Sequence, residues 1–201
     1  MQQFLRLFLF FFLFSISKIE AQKRFSTFEI DAPQLQTKKK IWVYLPLNYE
    51  KSNKKYPVIY MHDAQNLFDA KTSYAGEWNV DEKLDSLNAQ VIVVGIEHGN
   101  EKRIEELTPF KNTKYGGGKT DDYLEFIVKT LKPQIDKTYR TKATKRNTII
   151  MGSSLGGLTS FYATLKYPEV FGKSAVFSPA TILANARPRL KASSKPRLSA
   201  A

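Results

Sequence analysis

The chain of 201 residues contains no cysteine, so no disulfide can stabilise its fold. Stability must come from a packed core. The composition can supply one, because 42% of the residues are hydrophobic and 13% are aromatic. A chain of this length forms one domain or most of one.

Histidine and C-terminal carboxylates are also scarce. The only two histidines are His62 and His98, and no aspartate or glutamate follows Glu169. Any chemistry that needs a histidine or a carboxylate after residue 169 therefore has no candidate in this sequence.

No hydrophobic run is long enough for a typical transmembrane helix. Residues 7–14 are densely apolar and follow Arg6, and Ala21 is a plausible cleavage point. Residues 1–21 are thus predicted to be a signal peptide, which implies a secreted or periplasmic protein without stable membrane insertion. A retained N-terminal anchor is the alternative.

The net charge of +12 raises the question of an anionic partner. Five basic residues and no acid lie in residues 181–201, while the lysines of the remaining chain are dispersed among acids and are expected on solvated surface. This distribution argues against a nucleic-acid partner. Binding of another polyanion by the basic surface is kept as an alternative function.

Several segments read as strands. Residues 25–30 and 40–45 predict an antiparallel pair at a sheet edge. Residues 56–61 and 91–96 are nearly continuous apolar runs, which are typical of strands buried on both faces. Residues 173–177 predict a last strand, closed by Ser178 and Pro179.

Helical patterns separate these strands. Residues 81–87 are a short helix candidate, and residues 97–119 predict a long loop with three glycines. Apolar residues recur at helical spacing from Leu124 to Ile135, in a helix that Thr120 caps and Pro133 is expected to kink. From residue 181 onward the sequence has no aromatic and no acidic residue, and it predicts a disordered tail or a poorly formed helix.

The most informative motif follows the apolar residues 149–151. The segment Gly152-Ser153-Ser154-Leu155-Gly156 matches the pattern G-x-S-x-G between a predicted strand and a predicted helix. A serine on such a strand–turn–helix connection is the nucleophile elbow of serine hydrolases, in which small neighbours let strand and helix pass close together. The Leu155 amide would begin the helix, where free N–H groups can stabilise an oxyanion.

Alternating strands and helices predict an α/β domain with a mostly parallel sheet and helices on both faces. In such sheets the sites gather at the carboxyl ends of the strands. His62, Asp63, His98 and Ser154 all follow predicted strands, so we expect them near one site.

These motifs together resemble a known family. Residues 60–69, 93–99, 101–103, 121–124 and 152–157 are similar to segments of the putative esterase family of α/β-hydrolases. That family includes iron-siderophore esterases, acetyl-xylan and feruloyl esterases, and mycolyltransferases. The resemblance covers residues 25–180 and implies a three-layer α/β-hydrolase sandwich, here incomplete at its C-terminal side.

The resemblance implies roles for individual residues. Ser154 would be the nucleophile, and the backbone amides of Leu155 and of Gln65 or Ala64 would form the oxyanion hole. The family often has glycine where Ala64 stands. The implied substrate is a small-molecule or polysaccharide-linked ester, and the implied reaction needs no cofactor and no metal.

Other residues are expected to line the cleft. His62 is expected to order the oxyanion loop by hydrogen bonds, Asp63 and Asp69 to cap turns within it, and Trp78 to pack over a lid. His98 is expected to line the cleft, with a role as replacement base as an alternative.

One departure from the family pattern concerns the catalytic triad. In α/β-hydrolases the acid and the histidine follow the serine in the chain, but here no histidine follows Ser154 and no acid follows Glu169. The sequence therefore predicts a secreted serine esterase whose chain is truncated, with weak or no activity. A non-catalytic binding module of the same fold is the alternative, and the oligomeric state is left open.

Overall fold

The computed structural model of the protein describes residues 25–74 and 76–180. The predicted signal peptide and the predicted tail at 181–201 lie outside the described residues. The strands are β1 (Phe25–Ala32), β2 (Thr37–Tyr44), β3 (Val58–His62), β4 (Ile92–Ile96), β5 (Thr148–Ser153) and β6 (Lys173–Phe177). The α-helices are α1 (Val80–Ser86), α2 (Arg103–Leu107), α3 (Thr120–Phe126), α4 (Lys132–Thr138) and α5 (Leu155–Lys166).

The six described strands form one sheet in the order β1-β2-β4-β3-β5-β6. Strands β3, β4, β5 and β6 are parallel to one another, whereas β2 is antiparallel to β1 and to β4. The predicted antiparallel pair at a sheet edge is therefore confirmed. The parallel pairing brings the carboxyl ends of β3, β4 and β5 to one edge of the sheet, so the loops that follow them are neighbours.

The two faces of the sheet carry different layers. On one face, strand residues such as Tyr60 and Ile150 pack in a large cluster with Leu124 and Ile135 of the long helical segment and with Leu155. Because strand side chains alternate between faces, the next residues along the strands point the other way. There, Met61 and Val93 pack in a smaller cluster with Leu67, Phe68 and Leu84. The result is the predicted three-layer α/β arrangement.

The long helix has an irregularity just before Pro133, the residue that was predicted to kink it. Pro133 lies inside the first turn of α4, and the irregularity is a π-helical turn at Ile127–Leu131, which joins α3 to α4. Proline lacks an N–H group and its ring crowds the carbonyl four residues earlier, here that of Lys129. The wider π-helical turn places the irregularity before the proline.

The region predicted as a long loop after β4 is partly helical. A short 3₁₀ turn at Asn100–Lys102 leads into α2. The glycine-rich segment at the end of this region is held beside α2, because the amides of Gly118 and Lys119 donate to the carbonyls of Thr108 and Glu105 at 2.7 and 2.9 Å. The prediction of an irregular loop over residues 97–119 is thus wrong for its first half.

Strand β6 is the outermost strand on its side within the described residues. Its side chains are at most half-buried, and Val176 and Phe177 are exposed. The helical layer on the β5–β6 side of the smaller cluster is missing from the described part of the chain. An apolar part of the sheet therefore remains open next to the elbow.

Candidate functional site

The turn between β5 and α5 carries Ser154 in an unusual backbone conformation. Its φ and ψ angles are 55° and −118°, and its side chain is exposed. A positive φ is rare and costly for a residue other than glycine. The turn is fixed by neighbouring backbone, since the Ser154 amide donates to the Phe177 carbonyl at 3.0 Å and its carbonyl accepts from Leu158 and Ala180.

The glycines of this turn allow a close approach of strand and helix. A Cβ atom on Gly152 would lie 2.7 Å from the carbonyl carbon of Gly156 and 2.8 Å from Cδ2 of His62. A Cβ atom on Gly157 would lie 2.9 Å from the Phe177 carbonyl oxygen. Such distances exclude any side chain without movement of the backbone. Gly152 of the G-x-S-x-G motif and Gly157 just after it are therefore required for steric reasons.

Helix α5 begins immediately after Ser154, at Leu155. The first amides of a helix have no acceptor within it, so the Leu155 N–H group is available beside the serine. Leu155 itself is buried in the larger core cluster. Its packing holds this amide in place relative to the sheet.

A second group of free amides follows β3. Asp63 has left-handed angles of φ 59° and ψ 48°, and a 3₁₀ turn then spans Ala64–Asn66. The first internal hydrogen bond of this turn runs from the Asn66 amide to the Asp63 carbonyl at 2.9 Å. The amides of Ala64 and Gln65 precede it, so they have no acceptor within the turn. The φ angle at Ala64 is not among the positive values, so its methyl group is tolerated.

Two side-chain connections join this loop to the loop after β4. The Arg103 Nε and Nη2 groups donate to the two carboxylate oxygens of Asp63 at 2.7 and 2.8 Å. The Gln65 side-chain amide pairs with the backbone of His98, with both distances 3.3 Å. Asp63 is thus an ion-pair partner, and the expectation that its side chain caps a turn is wrong. Asp69 does cap a turn, since it accepts from the Lys71 amide at 2.9 Å.

Ser154 opens onto a polar cavity of about 270 Å³. The residues that line it are His62, Asp63, Asn66, Leu67, Tyr74, Trp78, Arg103, Ser153 and Ser154. An apolar cavity of about 400 Å³ lies beside it on the open part of the sheet and shares Trp78 and Ser153 as lining residues. The predicted candidates Ser154, His62, Asp63 and Trp78 therefore share one cavity. Asn66, Tyr74 and Arg103 were not given roles from the sequence, although Arg103 lies in one of the family-like segments.

His98 is not among the residues that line the cavity at Ser154. Its Nδ1 atom accepts from the Asn100 amide at 2.9 Å, and its ring packs against the Tyr74 ring in a T-shaped arrangement. Burial lowers the pKa of His98, while the nearby Asp63 raises it. The structure therefore gives His98 a place within the loop after β4, where its Nδ1 atom is already occupied.

His62 lies beneath the elbow. It is 3% exposed, its ring lies against Gly152 and Gly156, and its Nδ1 atom shares a 2.8 Å hydrogen bond with the Tyr123 hydroxyl. Its side chain contacts α3 through Tyr123, so the expected hydrogen bonds to the oxyanion loop are absent among those described for it. Burial lowers the pKa of His62 from 6.5 to about 4; Asp63 opposes this shift and Arg103 adds to it.

The lowered pKa of His62 predicts a loss of stability in acid. The unfolded chain binds a proton at this histidine near pH 6.5, whereas the folded chain resists protonation until about pH 4. The stabilisation is complete above pH 6.5 and is lost as the pH falls towards 4. At ~1.4 kcal/mol per pKa unit it amounts to about 3 kcal/mol. Urea unfolding at pH 7 and pH 4 should reveal it, and the His62→Gln variant should lack that part of the pH dependence.

No group of three or more histidine, aspartate or glutamate side chains in the described part of the chain could hold a metal ion. No described helix is both long and apolar enough to cross a bilayer. The chemical groups found at the site are the Ser154 hydroxyl, the free backbone amides and the Asp63–Arg103 ion pair.

Comparison with known proteins identifies the family. The family model "Putative esterase" matches residues 32–193. The chain is 30% identical over 137 residues to the uncharacterized protein YbbA of Bacillus subtilis. The aligned region covers 65% of this chain and 52% of that protein. It is 28% identical over 151 residues to an endo-1,4-beta-xylanase/feruloyl esterase of Xylanibacter ruminicola, covering 70% of this chain and 19% of that protein.

Solved structures agree on the fold. An IroE-like serine hydrolase from Shewanella oneidensis superposes with a TM-score of 0.67 at 23% identity, covering 81% of this chain and 52% of that chain. The chain thus spans about half the length of this structure and of the Bacillus protein. Both the family match over most of the chain and the structural likeness lead to one assignment: the chain belongs to the Putative esterase family and has an α/β-hydrolase fold.

Proposed function

We propose that this chain carries the nucleophile half of a serine ester hydrolase, with Ser154 as nucleophile. The observation that carries the proposal is the strained conformation of Ser154, at φ 55°, on a strand–helix turn that opens onto a cavity. Strain of this kind persists only where surrounding structure enforces it, and it is frequent at active sites. Membership of an esterase family supports the same reaction.

In the proposed reaction the Ser154 oxygen attacks the carbonyl carbon of an ester. The carbonyl oxygen becomes negatively charged and accepts hydrogen bonds from the amides of Leu155 and of Gln65 or Ala64. The bond to the alcohol oxygen then breaks, the alcohol leaves with the proton of the serine, and an acyl-serine remains. Water adds to the acyl carbon, the acid leaves, and the serine regains its proton.

The proton transfers need a base, and the described cavity offers none that is suited. His62 is neutral but buried beneath the elbow, and His98 does not line the cavity. Because no histidine or acid follows Glu169, we propose that the chain is a partial domain of weak activity. The open apolar sheet face beside β6 supports this interpretation. Reading the coding DNA beyond residue 179 in all frames tests it; no acid followed by a histidine within about one hundred codons would refute it.

Hydrolysis of p-nitrophenyl acetate tests the role of Ser154. We expect a low rate in the wild type, because only the oxyanion donors and substrate binding assist a serine that no base activates. In Ser154→Ala the rate should fall to the buffer background. Ser86→Ala is the matched control, since Ser86 is an exposed serine on α1, away from the cavity. Equal rates in the wild type and Ser154→Ala would instead support the alternative of a non-catalytic binding module. The observation that favours this alternative is that no histidine follows Ser154 in the chain.

We further propose that the protein is exported and that its substrate is a small-molecule or polysaccharide-linked ester. Export rests on the signal-like residues 1–21. The substrate class rests on the relative named as a feruloyl esterase. N-terminal sequencing of the mature protein, with Gln22 expected as the first residue, tests export.

A further inference from the structure

Asp63 lies in the left-handed backbone region although it is not glycine. That conformation is unfavourable for most residues other than glycine, with aspartate among the more tolerant. It turns the chain directly from the end of β3 into the 3₁₀ turn that presents the Ala64 and Gln65 amides. Any change of the Asp63 backbone would therefore redirect both amides.

The Asp63 side chain is held by Arg103 in a two-pronged ion pair. The two hydrogen bonds measure 2.7 and 2.8 Å, and the side chains are only 11% and 20% exposed. Two parallel charge-assisted bonds fix the orientation of both groups, which a single contact does not. Burial would disfavour the charge of Arg103, but the hydrogen bonds and the charge of Asp63 outweigh it and raise its pKa.

The same carboxylate lies against the start of α5. Its Oδ2 atom is 3.5 Å from the position that a Cβ atom of Gly156 would occupy. One side of Asp63 therefore leads into the amides of Ala64 and Gln65, and the other lies against the helix start that presents the Leu155 amide. The ion pair is located where it can fix the spacing between the two groups of donors.

We propose that Asp63 and Arg103 are positioning residues of this site: their ion pair holds the amides of Gln65 or Ala64 and of Leu155 at the spacing that an oxyanion requires. This proposal rests on the function proposed above. Arg103 acts through Asp63, so its loss should weaken stabilisation of the transition state and leave ground-state binding of the ester nearly unchanged.

The test compares Arg103→Gln, Arg103→Lys and Asp63→Asn with the wild type for hydrolysis of p-nitrophenyl acetate. Complete removal of one oxyanion donor lowers kcat about 100- to 1000-fold in other enzymes, so misplacement should lower it about 10- to 100-fold. We expect KM to change less than about threefold, since the ester still binds. Arg103→Lys should retain an intermediate kcat, because it keeps the charge but loses the two-pronged geometry.

Lys119→Gln is the matched control. It breaks the ion pair of Lys119 with Glu105, which belongs to the same helix as Arg103 but is exposed. A raised KM with unchanged kcat in Arg103→Gln would overturn the proposal, since Arg103 would then be a substrate contact. So would a loss of rate that merely matches a loss of folded protein, measured by circular dichroism on the same samples.

A second measurement separates this proposal from the function it rests on. If the wild type shows no Ser154-dependent turnover, the proposed enzymatic function fails for this chain, and backbone amide NMR then decides on the ion pair. The Ala64, Gln65 and Leu155 amide resonances should shift in Arg103→Gln and stay in place in Lys119→Gln. Unchanged resonances in Arg103→Gln would overturn the positioning role.

Discussion

Replacing Gly152 by alanine is expected to destabilise the fold severely. The new methyl group would lie 2.7 Å from the backbone carbonyl carbon of Gly156, 2.8 Å from its oxygen and 2.8 Å from the ring of His62. Two of these atoms belong to the backbone of α5, which cannot move without opening the elbow. Overpacking in cores usually costs about 1–3 kcal/mol, and a backbone clash of this kind should exceed about 3 kcal/mol.

Gly156→Ala provides a matched comparison within the same motif. A methyl group there would meet the His62 Cβ at 3.1 Å and Cδ2 at 3.4 Å, distances that shifts of a few tenths of an ångström relieve. Alanine also favours the helix over glycine by about 0.5–1 kcal/mol, which offsets part of the strain. We therefore expect a clear difference in urea midpoints between the two variants. Equal midpoints for Gly152→Ala and Gly156→Ala would contradict the steric explanation of the first glycine.

Much of the fold could be predicted from the sequence, because the patterns that define its strands and turns are local. The apolar runs at 56–61 and 91–96 predicted two of the parallel strands within two residues at each end, because strands buried on both faces have few polar residues. The exchange of β4 and β3 in the sheet order was not predicted. Strand order depends on contacts between distant segments, which no local pattern encodes.

In the candidate site, too, the local features could be predicted from the sequence and the long-range contacts could not. The glycines around Ser154 indicate the tight turn by their spacing, because the closest contact of Gly152 is with Gly156 of the same motif. The Asp63–Arg103 pair joins residues 40 positions apart, and neither residue is unusual in its own segment. Such a pair becomes visible only when two loops meet at the sheet edge.

The burial of Lys39 could not be predicted from the charges of the sequence. It lies between Lys38 and Lys40 and was expected on solvated surface, but it is 4% exposed. Strand β2 alternates its side chains between faces, so the middle lysine points inward, where it meets Glu106 from 67 positions away. The expectation that the lysines of the domain are solvated is therefore wrong at this position.

The second large effect concerns this buried pair, in the variant Lys39→Met. The Lys39 ammonium lies 2.6 and 2.7 Å from the Glu106 carboxylate oxygens, and both side chains are 4% exposed. Burial lowers the pKa of Lys39, and the charge of Glu106 opposes this shift. Removing the lysine leaves a carboxylate in the core whose remaining described hydrogen bond comes from the Gly99 amide at 3.0 Å. Breaking a buried pair in this way typically costs about 3–5 kcal/mol.

The double variant Lys39→Met/Glu106→Gln should recover most of that loss. A neutral glutamine can still accept from the Gly99 amide, and the buried charge is gone, so its free energy of unfolding should lie within about 1 kcal/mol of the wild type. Urea unfolding of the wild type, both single variants and the double variant measures this coupling. Additive effects of the two substitutions would contradict it. Glu106 anchors Gly99 and belongs to α2 together with Arg103. The amide resonances of Ala64 and Gln65 should therefore shift in Lys39→Met and return to their wild-type positions in the double variant.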